Sequence, residues 1–338
     1  MTTPDPEELY EMLARMRDAG ARYVVMEVSS HALAQKRVAP LFFRCAIFTN
    51  LTQEHLDYHG DMETYFLEKR KLFEKCEQAV VSYTTPYGIR LGEVLECPFE
   101  ELSALTVSEI QSFGTDGVSF CLRPISGGEM RIRVPVPGNF TVENAGLAAL
   151  AGQALGIDVG SICKALATFP GVRGRVERIC NQAGVPAIFL DYAHTPDALE
   201  KLLLTARGFS APHQRILLLF GCGGERDRMK RSEMGRIASR LADFVILTSD
   251  NARGEDPDAI LEEILRGIDK EKPYCVIKDR AEAIAYAVAE ARVGDILLLA
   301  GKGHEEYEIC GGKRHAFSER EIVREALTRK MEGKEREN

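Results

Sequence analysis

Five short apolar runs, Ala187–Leu190, Ile216–Phe220, Phe244–Thr248, Tyr274–Ile277 and Ile296–Ala300, recur through the second half of the chain with helical segments between them. A run of this kind reads as a strand buried on both faces, and its alternation with helices points to a mainly parallel, doubly wound α/β sheet. Such sheets hold ligands beyond the carboxyl ends of their strands. The segments that follow these runs are therefore where chemistry is expected: DYAHTPDAL from Asp191, GCGGERDRMKR from Gly221, DNAR from Asp250 and GKGHE from Gly301. Thr195 and Pro196 start a helix after the first run, which puts Asp191 and His194 at the same rim.

The first half carries a different signal. Val24–Met26 reads as a buried strand ending on Glu27, and a second strand, Cys45–Asn50, ends beside Glu54, His55, Asp57, His59 and Asp61. Any one of these is most often a solvated loop residue. Five acids and imidazoles in eight positions instead suggest a metal rim, and an oxygen-rich set without cysteine suits Mg²⁺ or Mn²⁺ better than structural zinc.

Around this stretch the helix signals are clear. Asp5 as N-cap, Pro6 in the first turn and Glu8 completing a capping box start a helix with Leu9, Met12, Leu13 and Met16 as its buried stripe, and Gly20 stops it. Another helix begins at Asp61 and carries Lys69. Gln78–Arg133 is expected to be a small β-rich extension with turns at Pro86–Gly88 and Gly127–Gly128. Helices follow over 137–157 and 159–168, and Cys180–Gly184 is expected to link a first domain, 1–179, to a second, 180–338.

The formal charge of −8 disfavours nucleic acid as a partner, since a phosphate backbone calls for a basic face. Nine cysteines without a C-x-x-C pair fit reduced thiols in the cytoplasm, and no apolar run reaches the roughly 18 residues of a membrane helix.

EVSSH at Glu27–His31, followed by TNLxxxHLDYHGDMExYxxxK at Thr49–Lys69, resembles the central domain of the Mur ligases, the ATP-dependent amide-forming enzymes of peptidoglycan synthesis. The resemblance runs from Thr2 over nearly the whole chain. It implies a partial central ATPase-type domain followed by a Rossmann-like C-terminal domain. It further implies that Thr2, Thr3, Ser29, Gln35 and Arg37 hold UDP-N-acetylmuramoyl-L-alanyl-D-glutamate (UDP-MurNAc-L-Ala-D-Glu). Glu27 and His55 would ligate Mg²⁺, with Lys69 carbamylated to N6-carboxylysine beside them. Asn144 and Arg175 would contact ATP, with Asp191 on the ATP side.

In the C-terminal domain, the resemblance implies that Arg226, Asp250, Asn251, Ala252, Arg253, Gly301 and Glu305 bind the incoming amino acid. A D-N-P-R motif marks members that take meso-diaminopimelate; here Ala252 replaces its proline, and Arg173 likewise stands where many members have proline. Diaminopimelate differs from lysine by a second carboxylate, which the Arg253 guanidinium is suited to grip through two parallel hydrogen bonds while Glu305 receives the distal ammonium. meso-Diaminopimelate is thus the implied substrate. L-lysine is the alternative, and a folylpolyglutamate or cyanophycin synthetase is a looser one.

The family's phosphate loop, G-x-x-x-x-G-K followed by Ser or Thr, does not occur in the sequence; Gly301–Lys302 and Gly312–Lys313 lack both the spacing and the hydroxyl. The expectation is a monomeric portion of the enzyme that does not ligate by itself. From a different class, the competing expectation is a non-catalytic protein that keeps a nucleotide-peptide or amino-acid pocket.

Overall fold

The computed structural model describes residues 2–52, 56–180, 182 and 184–337. The chain forms two compact units, one from Met1–Gln111, Ser119–Arg133 and Phe140–Ala167, the other from Ser112–Val118, Val134–Asn139 and Thr168–Asn338. Among the described residues no helix is long and apolar enough to cross a membrane.

Elements up to residue 167 are, in order, α1 (Pro6–Asp18), α2 (Ser30–Ala34), β1 (Phe43–Phe48), α3 (Leu56–His59), α4 (Met62–Arg70), β2 (Cys76–Ser82), α5 (Pro86–Gly92), β3 (Phe99–Leu102), β4 (Val107–Ser112), β5 (Val118–Leu122), β6 (Met130–Val134), α6 (Asn139–Ala154) and α7 (Val159–Ala167). β1, β2 and β3 pair in parallel in that order, and β4, β5 and β6 form a sheet of their own. The expected β-rich extension is therefore divided, because β2 and β3 complete the parallel sheet. Ala46, Phe48, Ala79 and Val81 of that sheet bury themselves against Phe66, Phe73 and Leu91.

Three local expectations change. Pro86–Gly88 is the first turn of α5 rather than a free turn: the Thr85 side chain accepts from the Gly88 N–H at 3.2 Å and Pro86 opens the helix, so a cap and a proline that signal a turn here start a helix. Asp5 precedes α1, but its side chain does not cap it; the carboxylate pairs instead with Arg37 at 3.2 Å. In that helix Leu9 is buried while Met12 and Met16 are 37% and 36% exposed, which narrows the expected stripe. Third, Val24–Glu27 belongs to no ladder among the described strands, and Val25 is 92% exposed. An apolar sequence becomes a strand only when a neighbouring backbone takes its N–H and C=O groups.

In the second unit the order is β7 (Glu177–Arg178), β8 (Ala187–Asp191), α8 (Pro196–Phe209), β9 (Ile216–Phe220), α9 (Met229–Leu241), β10 (Phe244–Leu247), α10 (Pro257–Leu265), β11 (Tyr274–Val276), α11 (Arg280–Glu290), β12 (Ile296–Ala300), β13 (Tyr307–Cys310), β14 (Lys313–Ala316) and α12 (Glu319–Glu337). The sheet runs β11-β10-β9-β12-β8-β7, parallel except for β7. All five apolar runs are strands.

Successive residues of β9 point to opposite faces. Leu218 and Phe220 pack with Leu203, Met234 and Ile264 from α8, α9 and α10, while Leu217 and Leu219 pack with Ile284, Val288 and Val323 from α11 and α12. Each such side chain contributes about 1.5–3 kcal/mol through burial. β12 returns between β9 and β8, so the loop after it lies between the loops that follow those two strands.

The packing of α10 on α9 leaves no room at Gly267, where a Cβ would fall 1.7 Å from the Ser232 carbonyl oxygen. Gly267→Ala is expected to destabilise the protein by about 1–3 kcal/mol or more, since a backbone atom cannot rotate away. An unchanged thermal unfolding midpoint would contradict that helix approach.

Candidate functional site

The loops beyond β9 and β10 are tied backbone to backbone, and the second of them is tied in turn to the β13–β14 hairpin that follows β12. The Gly224 N–H donates to the Asn251 carbonyl at 2.9 Å, and a Cβ on Gly224 would lie 2.0 Å from the Ala252 carbonyl oxygen, so only glycine allows this approach. The second loop is fastened to the β13–β14 hairpin, with the Arg253 N–H donating to the Ile309 carbonyl at 3.0 Å and the Gly312 N–H to the Arg253 carbonyl at 3.3 Å. Arg253 adopts φ +54° there. Its Nη1 donates to the Gly224 carbonyl at 2.7 Å and the Asn251 carbonyl at 3.3 Å, which fixes the plane of the guanidinium, and its Nε–Nη2 edge makes no hydrogen bond among the described residues.

Below Arg253 lies a chain of buried charges. Lys302 has no solvent exposure; its Nζ donates to Asn251 Oδ1 at 3.0 Å and the Tyr307 carbonyl at 3.1 Å, and stands 3.3 Å from Asp250 Oδ1. Asn251 Oδ1 also accepts from the Ile309 N–H at 2.9 Å, and Asn251 Nδ2 donates to Glu305 Oε2 at 2.9 Å. The fully buried Arg280 donates to Glu319 at 2.9 Å and to the Ala300 carbonyl at 2.9 Å. Burial alone would push the Asp250 carboxyl up, but the charges of Arg280 and Lys302 and the Asn251 N–H reverse this and hold it below the ordinary carboxylate range.

Gly301, at φ +117°, packs so closely that a Cβ would lie 2.7 Å from Asp250 Oδ2. Asn251, Arg253, Gly301 and Glu305 thus gather at one rim, Ala252 is buried beneath it, and Arg226 is exposed on the first loop. A cleft of about 410 Å³ lined by Ser249, Asp250, Lys278, Arg280 and Glu308 borders the same loop.

At the end of β8, the Asp191 carboxylate accepts from the Val176 and Ala193 N–H groups, each at 2.8 Å. Burial pushes its carboxyl up, opposed by those N–H groups and by Arg175. The Arg175 guanidinium lies over the Tyr192 ring at 5.5 Å, His194 Nδ1 pairs with the Tyr192 carbonyl at 2.8 Å, and Arg173 pairs with Glu306.

Arg231, Arg280 and Lys302 escaped the sequence reading because a basic residue in a polar helix or loop is most often a solvated charge. Arg231 is completely buried. It donates to Glu255 twice at 3.0 Å, to Glu263 at 2.8 Å and to the Gly223 carbonyl at 3.2 Å. The available signal was periodicity, since Arg231 shares one face of α9 with Met234, Gly235 and Ala238.

In the first unit, Thr3 Oγ1 donates to the Glu27 carbonyl at 2.9 Å and accepts from the Ser29 N–H at 3.1 Å. Arg37, buried, donates to the Thr3 carbonyl at 2.8 Å and through Nε and Nη2 to Gln35 Oε1 at 2.9 and 2.6 Å. Thr3, Ser29, Gln35 and Arg37 are therefore one cluster, with Thr2 exposed beside it, the exposed Glu27 attached through its backbone, and Ser29 capping α2. Lys69 Nζ donates to the Val28 carbonyl at 3.3 Å, and Asn144 is exposed on α6.

Part of the acid- and imidazole-rich stretch can be placed. Glu54 and His55 lie outside the described residues, Asp61 caps α4 by accepting from the Thr64 N–H at 2.7 Å, and His59 is buried, bonded to Ser30 Oγ at 2.8 Å and stacked on Tyr65. Among the described residues no three His, Cys, Asp or Glu side chains converge on a metal position.

Residues 1–152 match the Mur ligase middle domain and residues 174–303 match the Mur ligase glutamate ligase domain. A UDP-N-acetylmuramoyl-L-alanyl-D-glutamate--2,6-diaminopimelate ligase of Gloeobacter violaceus is 45% identical over 97% of this chain and 68% of its own length. The enzyme of that name from Synechocystis is 44% identical over 96% of this chain and 66% of its own. The chain thus spans about two thirds of these relatives. A solved structure of an enzyme with the same title superposes with TM-score 0.73 at 33% identity, covering 98% of this chain and 69% of that one. UDP-N-acetylmuramate-alanine ligase of Thermotoga maritima, at TM-score 0.60 and 19% identity over 86% of this chain and 60% of that one, shares the fold.

The Arg231 hydrogen bonds, with the Glu225 N–H, draw the Glu255 carboxyl down to about 2. A folded-state value below the ordinary one means that the ionised acid stabilises the folded protein. That contribution is complete above the ordinary range of about 4 and is lost as the pH falls towards 2. The unfolding midpoint is expected to drop across this window, and Glu255→Gln, less stable at neutral pH, should drop less steeply. Parallel curves for the two proteins would rule out this linkage.

Proposed function

The chain belongs to the Mur ligase family, and from that membership we propose that it carries the substrate-binding portions of a cytoplasmic, monomeric, ATP-dependent ligase of peptidoglycan synthesis. This ligase joins meso-diaminopimelate to UDP-N-acetylmuramoyl-L-alanyl-D-glutamate. The observation that carries the choice of amino acid is Arg253, whose guanidinium is held at Nη1 by two carbonyls and offers a planar edge suited to a second carboxylate. Glu305 supplies a carboxylate for the distal ammonium, and Arg226 adds a cation on the neighbouring loop. L-Lysine would leave the Arg253 edge unmatched, which is how a polar site rejects a substrate that lacks the group it was built for.

In the proposed reaction a D-glutamyl carboxylate oxygen attacks the γ-phosphorus of ATP and ADP departs. The amine of the incoming amino acid then attacks the acyl carbon, phosphate departs, and the nitrogen releases a proton. The linked Thr3, Ser29, Gln35 and Arg37, with Thr2, are assigned to the nucleotide-peptide, and Asn144 and Arg175 to ATP. Asp191, fixed between two N–H groups, is assigned to the ATP side. Mg²⁺ would supply charge neutralisation on phosphate oxygens in such chemistry; Glu27, Lys69 as its carbamate and His55, which lies outside the described residues, are assigned to hold it. Lys69 is assigned a carbamate, N6-carboxylysine, which turns its cation into an anion.

Two measurements test the reading in the chain joined to the family's N-terminal portion. The joined enzyme is expected to prefer meso-diaminopimelate to L-lysine. Arg253→Ala should cost diaminopimelate use about 1.5–3 kcal/mol, roughly ten- to hundredfold in kcat/KM, with far less effect on lysine. Equal losses for both substrates, or a native preference for lysine, would reject the assignment. Lys69→Ala should abolish ligation and short carboxylic acids should partly restore it; near-native activity in the variant would return Lys69 to an ordinary helix lysine.

A further inference from the structure

We infer that Lys302 is a positioning residue for amino-acid recognition: by fixing which end of the Asn251 amide faces it, the buried ammonium aims the Glu305 carboxylate at the ligand's own ammonium. The inference rests on the amino-acid reading above. Lys302 has three donor hydrogens and three protein acceptors, Asn251 Oδ1, the Tyr307 carbonyl and Asp250 Oδ1, so its donors are all used within the protein. It acts through what it holds.

A side-chain amide has one accepting and one donating end. Two donors, Lys302 Nζ at 3.0 Å and the Ile309 N–H at 2.9 Å, converge on Asn251 Oδ1. Turning the amide over would set its NH₂ against both donors and its oxygen against a carboxylate. The donating end is therefore committed to Glu305 Oε2, at 2.9 Å, and Glu305 Oε1 is left to a ligand.

Charge supports the same assignment. Glu319, Arg280, Asp250 and Lys302 alternate in sign along one buried chain and cancel. Glu305, at the end of that chain and only partly buried, keeps an uncancelled negative charge for a cation. A neutral residue at 302 would both release the amide and leave Asp250 with less compensation, spreading negative charge away from the point where the ligand needs it.

The test is a double-mutant cycle on meso-diaminopimelate binding by the 338-residue chain, read by calorimetry, with thermal unfolding to establish that each variant is folded. Lys302→Met is expected to weaken binding about tenfold in the native background and less than about twofold beside Glu305→Gln, which still accepts from Asn251 but has lost the charge being aimed. Should Lys302→Met fail to fold, the same cycle with Asn251→Ala breaks the relay while keeping every charge, and the same non-additivity is expected. Losses of equal size in the two backgrounds would overturn the inference and leave Lys302 a purely structural role. No measurable binding by the unmodified chain would instead overturn the amino-acid reading, and the inference with it.

Discussion

A guanidinium without solvent exposure holds the ligand-facing end of the second unit together. Arg231 shares its donors between Glu255, at the end of the loop after β10, and the Gly223 carbonyl, in the loop after β9. A cation that deep cannot fall back on water, so both loops are bound to the positions that satisfy it. The other contacts at the rim depend on that constraint. Gly224 lies against Asn251 and Ala252 because the loops are drawn together, and Arg253 reaches the Gly224 carbonyl for the same reason.

The second unit was legible where its physics is local. Leu217 to Phe220 can be read as a strand because an uninterrupted apolar run has no other low-energy place than between two helical layers. The loops were legible because they follow such runs, and the close backbone approaches at Gly224 and Gly301 fall within them. The buried basic residues were not. Arg231 meets Glu255 across 24 positions and Lys302 meets Asn251 across 51, and no local pattern announces a pairing made by tertiary folding.

The first unit shows the converse failure, in which a strong local pattern misleads. Val24–Glu27 has the composition of a core strand, yet Val24, Val25 and Glu27 are exposed and only Met26 packs against the core, because strand formation depends on a partner rather than on composition. In the acid- and imidazole-rich stretch Asp61 starts α4, as its sequence signal indicated, and His59 fills a stacked aromatic group, while Glu54 and His55 lie outside the described residues. Thr3, Ser29, Gln35 and Arg37, singled out through the family resemblance and separated by up to 34 positions, are joined by hydrogen bonds.

Arg253 occupies a left-handed backbone conformation, φ +54°, that glycine would adopt at lower energy. The penalty, of order 1 kcal/mol, is sustained because the β13–β14 hairpin bonds that residue through both its N–H and its carbonyl. The hairpin is thus a splint for the backbone, and with Nη1 held by the Gly224 and Asn251 carbonyls the conformational entropy of the Arg253 side chain is surrendered when the protein folds. Affinity at such a site is governed by how rigid the splint is. Sequence drift in Tyr307–Ala316, a segment remote from Arg253 in the chain, would therefore tune the selectivity proposed for Arg253 without altering Arg253 itself.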